Sequence, residues 1–386
     1  MDNFKTLKRY NTASAKWDSV KDKVDTDDYL VFSVADSDYE TAPEIKHALI
    51  NRVEHGAFGY TMLDDQYYQI VTDWFERRYH VKVRRNWIVT APKVLTALSV
   101  IIDQLTSAEA SIVIQTPVYN VFYPAIENNR RTILENKLVH DAMLYTVDFD
   151  NLENHFKAGA EMLILCNPHN PVGRVFTVSE IAKMVSLCKQ YNVILVSDEI
   201  HADLIMPKHT FTSAGRFIDD YKNIILVNAP SKTFNLAGLQ SAHMIIPNPT
   251  HRKKIKSYMT KRFLYAPNLL AIEAIKVAYT KCDAWVEAQN KHIYHNYLLL
   301  KDKIRRHNNT IRLAPLEGTY LAWLDFSAYK LTSSQLNQHF IKYQVAVAEG
   351  PHYGSHCDGF IRINLACSNA QLKEGLKRLI NALEQL

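Results

Sequence analysis

The chain has 386 residues, 47% of them hydrophobic. That allows a large core and, at roughly 150 residues per domain, two or three domains. A net charge of +5, no apolar run near the ~18 residues of a membrane span, no signal-peptide core and five cysteines without C-x-x-C spacing predict a reduced, soluble, cytoplasmic protein that binds neither nucleic acid nor membrane.

Thr41 and Glu44 stand at capping-box spacing, with Pro43 between them, before a predicted helix whose inner stripe is Ile45, Leu49 and Val53. A second helix follows, with Tyr67, Ile70, Val71, Trp74 and Phe75 facing inward. Short apolar runs come next: "WIVTA", "SIVIQT", "EMLILCN", "VILVSDE", "NIILVN" and "SAHMIIP". Helical patterns separate most of them, one capped by Thr177 and Glu180. The runs are continuous rather than alternating, as in strands covered on both faces, so a mainly parallel sheet between helices is expected. After Pro247 the pattern changes. A long helix is predicted over roughly 271–306, then the strands "GTYLAWLDF", "VAVAEG" and "GFIRINLAC", with helices near Ser333–Lys342 and from Ser368 onward. The expected division is 1–40 as an N-terminal segment packing with a small domain, 41–285 as a large domain, and 286–386 as the small α+β domain.

In an open parallel sheet, ligands bind beyond the carboxyl ends of the strands. Here those ends carry Asn167-Pro-His-Asn170, Asp198-Glu-Ile-His201, Ser231-Lys232 and Pro117-Val-Tyr119, while "WIVTA" leads into a helix opening at Val94. Singly each is weak: Asp198 alone reads as a helix cap and Lys232 alone as a surface residue. Together they bring an amine, a carboxylate, an amide, an aromatic face and a helix N-terminus to one crevice. Pyridoxal phosphate needs that set. Its aldehyde takes a lysine, its ring nitrogen a carboxylate, and its phosphate a helix N-terminus.

The stretches "SDEIHADL", "CNPHNPVGRVF", "APSKTFNLAGLQ", "TPVYNVFYP" and "GFIRINLACS" resemble the fold-type-I pyridoxal-phosphate enzymes. With "NTASAKWD", "VADSDYETAPEI" and "FGYT" in order, the chain is similar nearly end to end to the cystathionine β-lyase (MalY/PatB) branch of the class I/II aminotransferase superfamily. The resemblance implies the type-I fold, with a seven-stranded, mainly parallel sheet. It implies Lys232 as the catalytic lysine that carries pyridoxal 5'-phosphate, with Tyr119 stacking on the ring beside it. Asp198 would face the ring nitrogen, and Asn170 and His201 the ring oxygen. The amides of Val94 and Leu95, with Ser231, would hold the phosphate. Tyr60 would reach the phosphate of a neighbouring subunit, implying a homodimer with shared sites. Arg362 would clamp the substrate carboxylate, with the backbone at Ala35 and Asp36 closing over it. No metal is implied.

Three positions depart from the family pattern. Ser33 stands where Trp is usual, Lys93 where Gly is common, and Gln240 where many aminotransferases have a phosphate-binding Arg. A side chain at Lys93 is expected to project outward. His201, three residues after Asp198, resembles the lyase branch, where many aminotransferases have Tyr. The expected reaction is therefore β-elimination from L-cystathionine or another L-cysteine S-conjugate. An aminotransferase is the alternative, and a partner-binding protein that merely carries the cofactor is a third reading.

Overall fold

The computed structural model describes residues 4–24, 28–264, 268–307 and 310–386. Strand β1 (Leu30–Val31) precedes helices α1 (Pro43–Glu54) and α2 (Asp65–Tyr79). Then β2 (Ile88–Ala91) enters α3 (Val94–Leu105), and β3 (Ser111–Ile114) leads through α4 (Phe122–Glu127) to β4 (Thr132–Glu135). A hairpin of β5 (Val139–Asp141) and β6 (Leu144–Thr146) precedes α5 (Phe149–Lys157). Next come β7 (Met162–Cys166), α6 (Val178–Gln190), β8 (Ile194–Asp198), β9 (Ile224–Asn228) and β10 (Ala242–Ile245). Seven of these strands form one sheet in the order β2-β10-β9-β8-β7-β3-β4. Only β10 runs antiparallel to its neighbours. Every residue of β7, β8 and β9 is buried, the consequence of helices on both faces.

Helices α7 (Pro249–Lys261), α8 (Leu269–Lys281) and α9 (Asp283–His307) follow. Then β11 (Arg312–Leu313), β12 (Leu321–Asp325), α10 (Ser333–Lys342), β13 (Val345–Ala346), β14 (Ala348–Glu349), β15 (Phe360–Asn364) and α11 (Asn369–Leu383) complete the chain. They build a second sheet, β11-β12-β15-β14, while β1 pairs in parallel with β13. The long helix α9 joins two cores. Val286 packs with Trp74 and Tyr279 in the large one, and Ile293, Tyr297 and Leu300 pack with Phe4, Phe32 and Tyr39 in the other. No helix among the described residues is long and apolar enough to cross a membrane.

Three local expectations need correction. The helix predicted over 271–306 is two helices, because Cys282 leaves helical geometry (φ −108°, ψ 16°) and Asp283 begins a new first turn, where an acidic side chain suits the helix dipole. The capping box at Thr41 and Glu44 does not form. Helix α1 opens at Pro43, whose fixed φ suits the first helical position, so Ala42 becomes the cap and Thr41 Oγ1 finds no partner. The stripe is also shorter than read: Ile45 is buried but Val53 is 50% exposed. The box at Thr177 and Glu180, by contrast, is complete on α6.

Candidate active site

Strand β8 delivers Asp198 to the carboxyl edge of the large sheet, fully buried. Its Oδ1 accepts from the Ile200 N–H at 3.1 Å, but Oδ2 is buried with no partner. Burial pushes the carboxyl pKa up to about 7, against the pull of the Ile200 amide and the Lys232 charge. Three residues on, buried His201 also has an unpartnered ring nitrogen, Nδ1, and its ring meets Tyr320 edge-on at 5.8 Å. Burial, then the nearby charges of Lys232 and Arg362, hold this imidazole neutral.

Lys232 follows β9 through Ala229, Pro230 and Ser231. Its Nζ donates to the Ala35 carbonyl at 2.6 Å, and Tyr320 Oη donates to the same carbonyl at 2.9 Å. Burial and the Arg362 charge bring the ammonium pKa down to about 8, although Asp36 and Asp198 oppose them. The side chain keeps some accessible surface, which matches its place on the walls of two cavities. One, of about 270 Å³, is bordered by Val94, Leu95, Tyr119 and Ser231. The other, of about 440 Å³, is bordered by Ser33, Ala35, Tyr119, Tyr353 and Arg362. Lys232 and Tyr119 border both. Burial, with the Asp198 charge, pushes the Tyr119 hydroxyl up to about 12, so the phenol stays protonated.

The smaller cavity faces the start of α3, whose cap residue Lys93 supplies no side-chain bond to the first amides. Those N–H groups and the helix dipole suit an anion. Lys93 is exposed, as expected, while also bordering the cavity. Gln240 borders it too, in left-handed backbone (φ 53°).

At the larger cavity, Arg362 rises from β15. Nη1 donates to Asn170 Oδ1 at 2.9 Å and Nη2 to the Ser33 carbonyl at 2.6 Å, while Nε has no partner. Its guanidinium lies 4.8 Å from the Tyr353 ring centre. Asn170 is therefore placed against Arg362, with Nδ2 lacking a partner among the described residues. Asp36 is turned elsewhere: its carboxylate meets Arg9 at 2.9 Å, and its carbonyl accepts from Asn364 at 2.7 Å. Tyr60 does not border either Lys232 cavity within one chain. It is fully exposed, beside a separate cavity of about 610 Å³ that shares Pro92, Gln240 and Ser241 with the smaller one.

Residues 27–379 match the family described as aminotransferase class I and II. The chain belongs to that family. It is 37% identical to cystathionine beta-lyase PatB of Bacillus subtilis, over 98% of this chain and 99% of that one. The crystal structure of cystalysin from Treponema denticola, which contains a pyridoxal 5'-phosphate cofactor, superposes with a TM-score of 0.95 at 33% identity, covering 100% and 99% of the two chains. The PLP-bound C-S lyase from Staphylococcus hominis superposes at 0.92 with 27% identity, covering 99% and 98%. The class I and II aminotransferase fold thus accounts for both sheets and for the crevice between them.

Within this aminotransferase-family site, sequence reasoning misses the supports behind Lys232. Thr233 Oγ1 donates to buried Asp203 at 2.9 Å, Tyr79 Oη donates to the other Asp203 oxygen at 2.9 Å, and Gln289 donates to the Thr233 carbonyl at 2.9 Å. Asn235 exchanges two hydrogen bonds with the Ser37 backbone, at 3.2 and 3.0 Å. His169 bridges loops as well, its Nε2 2.8 Å from the Pro117 carbonyl and its Nδ1 3.1 Å from the Cys166 carbonyl, while burial pushes its pKa down to about 4. Motif spacing carries no signal for these partners. Of the aromatic residues near the site, Tyr353 borders the larger cavity, whereas Phe122 and Phe234 are fully buried core.

A lysine is nucleophilic only when neutral, hence above its pKa. In the cofactor-free protein, Lys232 should lose its proton as pH rises through about 8 rather than 10.5. Acylation by acetic anhydride, followed by mass spectrometry of the peptide bearing Lys232, should reach half its limiting rate near that lower pH. A midpoint at about 10 or above, the ordinary lysine range, would show that burial does not depress it.

Proposed function

We propose that the chain is a pyridoxal-phosphate-dependent carbon–sulfur β-lyase that cleaves L-cystathionine or other L-cysteine S-conjugates. The observation that carries this reading is Lys232, with its depressed pKa, standing where an anion-favouring cavity meets an arginine-bearing one, within electrostatic reach of Asp198, whose buried Oδ2 lacks a partner. The similarity to a cystathionine beta-lyase and to C-S lyase structures supports the reaction type.

The residues fit pyridoxal phosphate. Asp198 Oδ2 has no protein donor, which suits a protonated ring nitrogen. We assign the phosphate to the Val94 and Leu95 amides and Ser231, the ring face to Tyr119, and the ring oxygen to His201 and the spare Asn170 N–H. Lys232 would hold the aldehyde. When bound, the cofactor supplies an electrophilic carbon and a ring that accepts electrons from the substrate α-carbon.

The chain's own groups then do three things. Arg362 receives the substrate carboxylate as a bidentate pair, with Ala35 and Asp36 in the covering segment. Lys232 Nζ takes the proton from the α-carbon, which its lowered pKa favours. Asp198, through its unpartnered Oδ2, would hold the ring nitrogen in its protonated form. With the α-proton gone, the Cβ–S bond breaks and sulfur leaves with the electron pair; a thiol pKa of ~8.5 makes that departure easy. Addition of one water gives, in total, thiol, pyruvate and ammonia.

We further propose a homodimer in the cytoplasm. Phe58 and Tyr60 are 62% and 110% exposed beside a cavity that adjoins the Lys232 site, Met62 nearby is 80% exposed, and a second subunit would cover them. All five cysteines are buried and unpaired, which suits a reducing compartment.

Incubated with L-cystathionine and no added oxoacid, the purified holoenzyme should release pyruvate, ammonia and homocysteine. Strict dependence on an oxoacid would make it an aminotransferase instead. Lys232→Ala should abolish turnover and the cofactor's lysine-dependent visible band; residual turnover near wild type would remove Lys232 from the chemistry. Arg362→Ala should chiefly raise KM, because the carboxylate it holds is present throughout the reaction. An unchanged KM would mean another group holds that carboxylate. Sedimentation should give a dimer mass, and a fully active monomer would exclude Tyr60 from any shared site.

A further inference from the structure

The larger cavity does not end at Arg362. Lys23, Asn337 and Glu349 border it as well. Glu349 lies on β14, the edge strand of the second sheet, where Ala348 is the cross-strand partner of Arg362 and Glu349 that of Ile361. Successive strand residues face opposite sides, so Glu349 leaves its strand on the face opposite Arg362, while both border the same cavity at this edge of the sheet. That separation keeps the two opposite charges from pairing, and no ion pair joins Glu349 to a described residue. Its carboxylate is nevertheless fixed. Asn337 Nδ2 donates to Glu349 Oε1 at 2.9 Å, and Asn337 Oδ1 accepts from the Val347 N–H at 3.2 Å. The backbone bond sets the amide's orientation, so its N–H₂ must face the glutamate. Oε2 is left without a hydrogen-bond donor among the described residues.

A half-buried carboxylate that is oriented in advance, lacks a cation and opens on the substrate cavity is a site for a ligand's positive charge. We propose that Glu349, held by Asn337, receives an ammonium group on the sulfur substituent. The enzyme thereby selects L-cysteine S-conjugates whose leaving thiol carries an amine. Lys23, on the wall of the same cavity, adds a positive charge that suits a substituent bearing a carboxylate beside that amine. Ser33, also on this wall, leaves room that a larger side chain would fill. The inference rests on the lyase reading above, and its test is arranged to fail separately.

Pyruvate release by the holoenzyme is measured with S-(2-aminoethyl)-L-cysteine and with its uncharged isostere S-propyl-L-cysteine. The wild-type ratio of kcat/KM values should favour the ammonium conjugate, and the preference should shrink as sodium chloride rises towards ~0.5 M. In Glu349→Gln the ratio should fall roughly tenfold, the worth of about one charge-assisted hydrogen bond. In Glu349→Lys it should invert. A wild-type ratio near one, or a Glu349→Gln ratio within about twofold of wild type, would overturn the proposal. If Glu349→Gln does not fold, the wild-type ratio and its salt dependence decide. If neither conjugate releases pyruvate, the lyase reading fails, and the ratio of the two Kd values by calorimetry then decides the subsite by the same criteria.

Discussion

A single desolvated amine organises this molecule. In water a lysine ammonium is too well hydrated to give up its proton near neutral pH. At Lys232, burial and the Arg362 charge remove that advantage, while Asp36 and Asp198 restore part of it. The balance needs the amine to sit among protein atoms yet reach two cavities. A strand end followed by a short turn does this: β9 is rigid and wholly buried, and Lys232 leaves it within four residues. The turn is then tied from behind, through Thr233 to Asp203 and through the Thr233 carbonyl to Gln289 on α9. Those ties give a long, flexible side chain a fixed origin.

The roof over that amine comes from the N-terminal segment, and ionic packing holds the roof down. Lys16, fully buried, meets Asp38 at 2.7 Å, and Asp38 also accepts from the Trp17 indole and from Gln371, each at 2.8 Å. Arg9 bridges Asp36 and Asp38. A buried acid with this many donors resists displacement, since removing one partner of such a pair costs about 3–5 kcal/mol. The segment between β1 and Asp38 is thereby fixed at both ends. Its carbonyls at Ser33, Ala35 and Asp36 face Arg362, Lys232 and Asn364 respectively. Arg362, Lys232 and Asn364 thus read the same four-residue stretch through its backbone, and these bonds do not depend on its side chains. Ser33 takes part in this arrangement through its carbonyl, so the bond to Arg362 does not depend on its hydroxyl.

The sequence was legible where local rules decide. Unbroken apolar runs became β7, β8 and β9, because burial on both faces leaves no polar side of the strand to alternate. Thr177 capped its helix as its spacing implied. Asp198 at the end of β8 and Lys232 four residues beyond β9 stand out in the sequence because polar residues at or near buried strand ends are conspicuous. Legibility ended where one residue of register or a distant partner decides. Thr41 lost its capping role because Pro43 set the helix start one residue later. The Lys232–Ala35 contact spans 197 positions and the Arg362–Ser33 contact 329, and both acceptors are backbone carbonyls, which no side-chain pattern marks. The tie between Asn337 and Glu349 is equally silent, since an amide on a helix and an acid on an edge strand read as ordinary surface residues.

The neighbouring acids Asp198 and Glu199 show how one strand end divides two tasks. Both are buried, and burial raises both to about 7. Alternation along the chain sends them to opposite sides. Glu199 finds a complete set of donors: Ser197 at 3.0 Å, Ser213 at 2.7 Å and the Ala214 amide at 2.9 Å. Its own carbonyl also accepts from Asn228 at 2.8 Å, locking β8 to β9. Every demand it makes is met within the protein, so its role is to hold the strand ends together. Asp198 has one amide donor and an oxygen with none. A fold that satisfies one buried acid so fully could have satisfied the next by the same means. The unmet oxygen leaves Asp198 able to accept from a donor outside the chain, and Glu199 fixes the strand end that carries it.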